Sequence, residues 1–305
     1  MSLRPSFKMI APVLVTDAVL QTSTIDEDDH PDWDAATTYA AGARVISSHK
    51  IYLSNADGNT GNDPRLDAAQ TNWTPQKATN RWKPFDTYLA DQATQAESAA
   101  WVFEFGEVID SLALFNLNAA TVQVVVTDPV SGVVYDQEFE MDDNRGIVDL
   151  YDYFFAPFVR SDSLSITELP PYGSAEISLT LSDPGGEVRL GQAVFGQAEV
   201  LGTAQEDLLF PYESFTRKEP DGFGRVSVVP RDSLDVLNVE FVTPREVDTY
   251  TKGRLKARGD TPTVYLVDTQ SGAGWHMVYG YVQSVTPSAQ LGPLTKFSTE
   301  IQGLV

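Results

Sequence analysis

Between residues 80 and 200 the chain repeats one pattern, in which a short apolar or alternating stretch is followed by a turn signal. The turn signals combine Asp, Ser, Pro and Gly, as in Asp128-Pro129, Ser131-Gly132 and Asp183-Pro184-Gly185-Gly186. The apolar stretches are Trp101–Phe105, Ser111–Leu117, Thr121–Thr127, Val133–Phe139, Ile177–Leu181 and Val188–Phe195. Strands about 8–12 residues apart, with turns between them, predict a β-sandwich or jelly roll.

The last hundred residues contain further strand-like stretches, and prolines separate them. The predicted strands are Gly224–Val229, Val236–Val242, Thr263–Val267, Trp275–Val285 and Thr295–Gln302. Proline cannot donate a ladder hydrogen bond and therefore marks strand ends and edges. The pattern predicts a mostly antiparallel C-terminal β domain.

A compact block at residues 31–77 combines aromatic and turn residues at short spacing. Its predicted strands are Arg44–Ser47 and Lys50–Ser54. A unit this small cannot build an ordinary core, so buried aromatic side chains have to supply most of its packing area.

Two further segments differ from the strand pattern. Residues 1–30 form an extended arm with one or two strands, ending in an acidic stretch from Asp26 to Asp34 that indicates a solvated linker. The aromatic-rich segment Leu150–Val159 is predicted as either a short helix or a loop that plugs the core.

The chain is therefore predicted to be all-β, with a small aromatic-cored β module, a jelly-roll β-sandwich and a C-terminal antiparallel β domain. The boundaries are residues 1–30 for the N-terminal arm, 31–77 for the module, 78–200 for the sandwich and 201–305 for the C-terminal domain. Strands of the arm are candidates for addition to the sandwich.

Charge and composition exclude several classes of function. The net charge of −22 repels nucleic acid phosphates, so a nucleic acid partner is not expected. The absence of cysteine excludes disulfides, thiolate metal sites and cysteine nucleophiles. No run approaches the length of a membrane span, and the apolar run after Lys8 is short and lacks a clear cleavage site, so neither membrane insertion nor a signal peptide is expected.

The sequence offers no recognisable reactive centre. It has no nucleophile elbow, phosphate-binding loop, dinucleotide fingerprint or zinc-protease motif. Its histidines, His30, His49 and His276, are not at metal-ligand spacing, and the acidic stretch lacks the calcium-loop pattern. With 43 acidic residues, chance pairs of carboxylates carry no glycosidase signal. We therefore expect no enzyme, no cofactor and no metal.

The block at 31–77 resembles the family 5/12 carbohydrate-binding module of chitinases and cellulases. The residues that carry the resemblance are Trp33, Tyr39, Gly42, Val45, Tyr52 and Trp73. Trp33, Gly42, Val45 and Tyr52 are predicted to form the module's turn and core. The family stacks sugars on exposed aromatics, but the loop Ala56–Gln70 has none, which leaves Tyr39 and Trp73 as candidate sugar-binding residues. Both a structural decoration and a saccharide-contacting module remain open.

The residues that follow resemble a family of bacteriophage tail proteins annotated with a carbohydrate-binding domain. The likeness rests on Thr79–Asp86, Gly106–Asn118 and Tyr151–Pro157, and the Val-rich part is similar to galactose-binding-like jelly rolls. It implies a virion structural protein at the tail tip, baseplate or fibre attachment, made in the host cytoplasm. The implied partners are other tail proteins, further copies of the chain in a ring or trimer, and host-surface glycans.

One basic stretch stands out in an acidic chain. Lys252, Arg254, Lys256 and Arg258 alternate with other residues, and on a strand they would share one face. This stripe is either a subunit-docking surface or an ordinary solvent face.

Three functions therefore compete. The first is a non-enzymatic tail component, the second is a saccharide-binding adhesin or receptor-binding protein, and the third is a glycan depolymerase. The third ranks last, because the sequence names no acid and base to carry out the hydrolysis.

Overall fold

A computed structural model describes residues 5–142, 149–155, 159–205, 208–220, 222–223, 225–268, 276–289 and 292–304. Strands dominate it and are almost all antiparallel, so the all-β prediction is confirmed. The strands of the first half are β1 Ser6–Pro12, β2 Leu20–Ser23, β3 Thr38–Tyr39, β4 Arg44–Ser47, β5 Lys50–Ser54, β6 Asn59–Thr60, β7 Trp73–Ala78, β8 Ala93–Glu104, β9 Ser111–Asn118, β10 Thr121–Asp128 and β11 Gly132–Glu140. Those of the second half are β12 Leu164–Ile166, β13 Glu176–Ala204, β14 Tyr212–Ser214, β15 Arg217–Pro220, β16 Val226–Val229, β17 Ser233–Pro244, β18 Thr263–Asp268, β19 Met277–Ala289 and β20 Leu294–Gly303. The helices are α1 Leu150–Phe155 and α2 Asp248–Lys256.

A β-sandwich forms around the first half of β13. This half pairs with β10 on one side and β8 on the other, and β11 and β2 extend the sheet outward. Further along, β13 pairs with β9, which in turn pairs with β12. Alternation along the strands supplies the core, because successive side chains of a strand point to opposite faces. On β10, Val122, Val124 and Val126 point inward and are buried.

The C-terminal strands close into a ring. The pairings run from β13 through β1, β18, β19, β20 and β17, and β17 pairs back with the end of β13 at Thr203 and Ala204. Phe7, Phe241 and Phe297 are fully buried inside this closed sheet. Helix α2 contributes the buried Leu255 to the same core.

Strand β1 ties the two units together. It pairs with β13 over Ser6–Pro12 and with β18 over Ser6–Ile10. The N-terminal arm therefore contributes β1 to the C-terminal ring and β2 to the sandwich. Strand β13 itself continues across position 200, so one strand belongs to both units.

The turn expected at Asp183-Pro184-Gly185-Gly186 is not a chain reversal. The residues lie within β13 as a bulge, where Ser182 pairs with Ser98 and Glu187 with Ala96. Arg160 holds the bulge through paired hydrogen bonds of 2.9 and 3.0 Å to the Asp183 carboxylate. The Gly and Pro content correctly indicated irregular backbone, but the strand continues because β8 pairs on both sides of the bulge.

The aromatic-rich segment begins as helix α1, one of its two predicted forms. Tyr151 and Phe155 are each 70% exposed, so neither of these side chains plugs the core. Residues 156–158 lie outside the described residues.

The module at 31–77 forms its own small sheets, namely β4-β5-β7 and β3-β6. Strands β4 and β5 match the predicted bounds. The two-residue turn between them has positive φ at Ser48 (47°) and His49 (64°), the conformation required by a tight hairpin turn of this twist. Ser and His pay a conformational cost in this backbone conformation, and contacts of the His49 side chain with Glu27 and Asp17 offset it.

Candidate functional site

Trp73 is the centre of the small module. Its side chain is 0% exposed, and its Nε1 donates a hydrogen bond of 2.8 Å to the Asn62 carbonyl oxygen. Tyr39 packs edge-on against it with ring centroids 5.3 Å apart. A sugar stacks on an exposed ring face, and Trp73 offers none. The expectation that Trp73 binds carbohydrate is therefore wrong, because the module uses this ring as its core.

The remaining module residues have packing and hydrogen-bonding roles. Tyr39 is half-buried, and its hydroxyl oxygen accepts a hydrogen bond of 2.7 Å from the Asp34 N–H. Val45 is buried and Trp33 is half-buried. Gly42 has a φ of +83° and turns the chain into β4, as its type suggests. Burial raises the pKa of the half-buried Tyr52, and the nearby Asp63 carboxylate adds to this effect.

The loop Ala56–Gln70 is organised by carboxylates. Asp67 accepts hydrogen bonds from the backbone N–H groups of Thr71, Asn72 and Trp73, and these hydrogen bonds lower its pKa. Leu66, at 82% exposed, is the large apolar side chain that the loop presents. Without a flat ring, the loop has no platform for stacking a sugar.

His49 joins the module to the rest of the chain. Its Nδ1 lies 3.0 Å from the Glu27 carboxylate, and its Nε2 lies 2.5 Å from Asp17 Oδ1. Glu27 also accepts a hydrogen bond of 2.8 Å from the Thr79 hydroxyl. The imidazole stacks on Trp82, with centroids 4.1 Å apart. These contacts account for the strained turn, because they place the His49 side chain between the arm and the segment that follows the module.

A chain of aromatic rings continues from this junction into the sandwich. Trp82 contacts Phe85 edge-on at 5.9 Å, Phe85 contacts Phe103 at 5.5 Å, and Phe103 contacts Phe195 at 4.6 Å. The junction is thus continuous with the sandwich core, and the module is anchored rather than tethered by a free linker.

A cleft of about 800 Å³ lies where the sandwich meets the C-terminal ring. Its apolar part comes from both units and includes Leu89, Phe115, Met277, Val278 and Leu304. Its polar lining is Asn116, Asp162, Ser163, Arg231, Asp232, Ser233 and Asp235. This volume lies within the range of about 300–1,000 Å³ that is typical of ligand pockets.

Carboxylates give the cleft an acidic character. Its lining includes three carboxylates, those of Asp162, Asp232 and Asp235, and one basic side chain, that of Arg231. Asp235 is exposed, yet the atoms around its carboxyl partly desolvate it, and this desolvation together with the charge of Asp162 raises its pKa. The Asp162 carboxylate accepts a hydrogen bond of 3.2 Å from the Ser163 hydroxyl. The cleft therefore suits a ligand with both an apolar and a cationic part.

The basic residues at 252–258 do not form a strand stripe. Lys252, Arg254 and Lys256 lie on helix α2, where alternate residues are about 200° apart. Arg254 therefore lies on the side of the helix opposite to the face shared by Lys252 and Lys256. Arg254 forms an ion pair with Glu199, which raises the Arg254 pKa, and its guanidinium lies 5.8 Å from the Tyr250 ring centroid. Arg258 follows the helix end. The expected strand stripe with all four basic side chains on one face is wrong, because a helix forms at Asp248–Lys256; a subunit-docking role for these residues stays a prediction.

Metal and membrane binding find no support in the described parts of the chain. Within them, no three His, Asp or Glu side chains come together as a metal site. Within the same ranges, no helix has both the length and the apolar character of a membrane span.

The cleft and the His49 junction both bring together polar side chains from distant parts of the sequence. The chain matches no protein-family model, no curated protein and no solved structure. Function therefore has to be argued from the chain's own residues.

Sequence reasoning missed both of these assemblies. The histidines were considered only as metal ligands, although Ser-His between the two predicted strands Arg44–Ser47 and Lys50–Ser54 is an unusual pair for a tight hairpin turn. Asp162 and Asp235 carried no such signal, because 73 residues separate them and both lie in ordinary polar surroundings of the sequence.

Proposed function

We propose that the chain is a non-enzymatic structural component of a bacteriophage tail, at the tail tip, baseplate or fibre attachment. One observation carries the proposal: the chain has complete cores, yet it presents large apolar side chains at two separate places. On α1, Tyr151 and Phe155 are each 70% exposed; on the β15–β16 hairpin, Val226 and Val228 are 58% and 54% exposed. Exposed apolar surfaces of this kind are typical of sites at which a protein binds a partner protein.

The sequence resemblance supplies the kind of assembly. Tyr151 and Phe155 belong to the stretch Tyr151–Pro157 that resembles tail proteins, so one of the exposed sites coincides with it. The proposed partners are other tail proteins and copies of the chain itself. The proposed location is the virion tail, after synthesis in the host cytoplasm.

Mass spectrometry of purified phage particles tests this function. We expect peptides of the chain in mature particles at a fixed ratio to other tail proteins, and antibody labelling at one end of the tail in electron micrographs. Mature particles that lack the chain would rule the proposal out. An unrelated phage purified in the same way is the control for contaminating host protein.

The proposal leaves open whether the small module binds host-surface glycans, and this binding can be measured. Because Trp73 is buried, Tyr39 is the one of the two candidate sugar-binding residues that a sugar could still contact. A glycan array probed with the intact chain and with the Tyr39→Ala variant distinguishes a saccharide-contacting module from a structural decoration. Equal binding by both chains excludes Tyr39 as a sugar contact, and binding by neither assigns the module a purely structural role.

Glycan hydrolysis in the cleft is a second candidate, favoured by one observation. Asp162 and Asp235 interact electrostatically, and the pKa of Asp235 is raised, as an acid of a carboxylate pair requires. Both residues are solvent-exposed, however, whereas the acid of a hydrolytic carboxylate pair usually lies in an apolar pocket. Incubation of host exopolysaccharide with the intact chain and with Asp235→Asn decides the matter. Release of reducing ends by the intact chain alone would replace the structural proposal.

A further inference from the structure

Strand β11 is an open edge of the sandwich. It pairs with β10 on one side, and no other strand among the described residues pairs with it. An edge strand turns part of its backbone N–H and C=O groups away from its own sheet, where they can pair with another chain. Edges are often protected by lysine or proline, but β11 has neither, and its pairing is regular from Tyr135 to Glu140. The sheet can therefore accept a further strand here.

One face of this edge carries a row of carboxylates. Tyr135 and Phe139 pack against the sandwich core. Because successive side chains of a strand point to opposite faces, their neighbours Asp136, Glu138 and Glu140 point outward, and all three are exposed. In the part of the chain that the structure describes, none of these carboxylates forms an ion pair. They are therefore available to cationic side chains of an added strand.

A well-anchored turn presents apolar side chains at the start of the same edge. Asp128 accepts hydrogen bonds of 3.1 and 2.7 Å from the N–H groups of Val130 and Ser131, and one of 3.2 Å from the Ser174 hydroxyl. Val130 is nevertheless 93% exposed, and Val133 is 61% exposed. Because the turn is already held in place, covering these side chains costs little conformational entropy. A partner strand that ends in an apolar residue fits this turn.

The charge of the edge selects the kind of partner. A second copy that paired edge to edge through β11 would bring one row of carboxylates beside another, and like charges on opposite strands are destabilising. The net charge of −22 attracts cationic partners and repels nucleic acids. A basic, extended segment of another protein is the occupant that satisfies both the backbone and the charges of this edge.

We propose that the β11 edge binds an extended basic segment of a partner protein as an added antiparallel strand. Lysine or arginine side chains at alternate positions of the segment face Asp136, Glu138 and Glu140. An apolar side chain near the C-terminal end of the segment packs against Val130 and Val133. Main-chain hydrogen bonds supply the affinity of such contacts, and the alternate side chains supply their selectivity. The inference goes beyond the proposed function and does not depend on it.

A synthetic peptide tests the contact on the full chain. The probe is a short, fluorescently labelled peptide in which lysine and threonine alternate and valine follows at the C-terminal end. We expect it to bind the chain at least about tenfold more tightly than a peptide of the same composition with its lysines consecutive, as measured by fluorescence anisotropy. Equal affinities, or no binding by either peptide at about 1 mM, overturn the proposal.

N-methylated versions of the same peptide test the main-chain pairing. Methyl groups on every lysine amide block one edge of the peptide strand, and methyl groups on every threonine amide block the other edge. We expect one of these two peptides to bind like the parent and the other to lose at least about tenfold in affinity. Equal affinities of the two methylated peptides would show that the peptide does not add to the sheet as a strand, and would overturn the proposal.

A charge reversal on the chain tests the register of charges. We expect Glu138→Lys to weaken binding of the lysine peptide by about fivefold or more, and to favour a peptide with glutamate in place of lysine. Glu104→Lys is the matched control, because Glu104 is an exposed residue of β8, an interior strand of the same sheet. Equal losses in the two variants would mean that net charge alone attracts the peptide, which contradicts the proposal.

Sedimentation velocity distinguishes a partner segment from a second copy. If the intact chain forms a dimer that the lysine peptide dissociates, a second copy occupies the edge and the proposal is overturned. We expect the peptide to leave the oligomeric state of the chain unchanged.

Failure of this contact is distinguishable from failure of the tail assignment. The peptide experiments use the purified chain, whereas the tail assignment depends on the presence of the chain in particles. A chain that is found in virions but does not bind the peptide rejects the edge contact alone. A chain that binds the peptide but is absent from virions rejects the tail assignment alone.

Discussion

At the scale of single residues, two polar side chains have surroundings that their sequence neighbours do not explain. His49 has a carboxylate at each ring nitrogen and a stacked indole on its face. Asp86 is half-buried; one of its oxygens accepts a hydrogen bond from the Tyr88 N–H, and the other has no partner among the described residues. The contacts of His49 hold the N-terminal arm and the small module together. The carboxylate oxygen of Asp86 that has no partner destabilises the folded chain.

Replacing His49 should loosen the module. His49→Gln removes the contact with at least one of Asp17 and Glu27 and the stacking on Trp82, so we expect local opening of residues 31–78 to become easier by about 1–2 kcal/mol. Hydrogen exchange followed by mass spectrometry measures this change peptide by peptide. His30→Gln is the matched control, since the described structure gives His30 no ion pair or ring contact. Unchanged exchange in the module would show that the junction does not hold it.

Replacing Asp86 should stabilise the chain in a pH-dependent way. Burial raises the pKa of Asp86 to about 6, so the folded chain holds this proton more tightly than the unfolded chain. The stability contributed by the protonated form is present below the unfolded pKa and is lost as the pH rises through about 6.

Asp86→Asn should therefore raise the unfolding free energy at pH 8 by roughly 1 kcal/mol and have little effect at pH 4. Urea unfolding at the two pH values measures the difference. Asp63→Asn is the contrast, because hydrogen bonds from Arg65 lower the Asp63 pKa and the gain at pH 8 should not appear. A gain at pH 4 equal to that at pH 8 would contradict the assigned cause.

At the scale of elements, the small module shows how a short segment builds a core from very few rings. Trp73 ends the loop and begins β7, and Asp67 fixes the start of that strand through the Trp73 N–H at 2.9 Å. Trp73 then packs under Tyr39 and donates its indole N–H to Asn62. One ring thus joins the loop, β3 and β7.

Trp73→Ala should unfold the module without unfolding the sandwich. Loss of a buried tryptophan typically costs about 3–5 kcal/mol, which is more than a module of five short strands can lose and stay folded. Hydrogen exchange should show residues 31–78 unprotected while β10 and β13 remain protected. Leu66→Ala, at a side chain 82% exposed in the same module, should change neither. Protection of the module in the Trp73 variant would mean that its core lies elsewhere.

At the scale of the whole molecule, β1 and β13 make the sandwich and the C-terminal ring one structure. Successive residues of β1 point to different cores: Met9 lies inside the ring, and Ile10 packs with Phe115 and Val194 of the sandwich strands. Strand β13 crosses from one unit to the other without a break. Unfolding of either unit therefore removes the edge on which the other pairs.

Met9→Ala should shift the unfolding of the sandwich as well as that of the ring. Four of the five tryptophans lie at or before position 101, so tryptophan fluorescence reports mainly on the module and the sandwich. We expect a loss of about 2–5 kcal/mol seen equally by fluorescence and far-ultraviolet circular dichroism. Leu14→Ala, at a residue 73% exposed, is the control. A fluorescence transition that does not move in the Met9 variant would show that the two units unfold independently.

The sequence by itself determined the strands, because strand character is local. Alternating valines in Thr121–Thr127, the bounds Arg44–Ser47 and Lys50–Ser54, and the position of Gly42 all follow from two-residue periodicity and turn chemistry. The strand predicted for the basic stretch was wrong, because the two-residue spacing of its basic side chains occurs in a segment that forms a helix at Asp248–Lys256.

Only the tertiary structure decided which strands pair and which aromatic rings remain exposed. β1 meets β18 across more than 250 residues, and Asp162 meets Asp235 only after both units have folded. Whether Trp73 was a platform or a core depended on which residues packed around it, not on its type. Such contacts join residues that are distant in the sequence, and the local pattern of apolar and polar residues does not predict them.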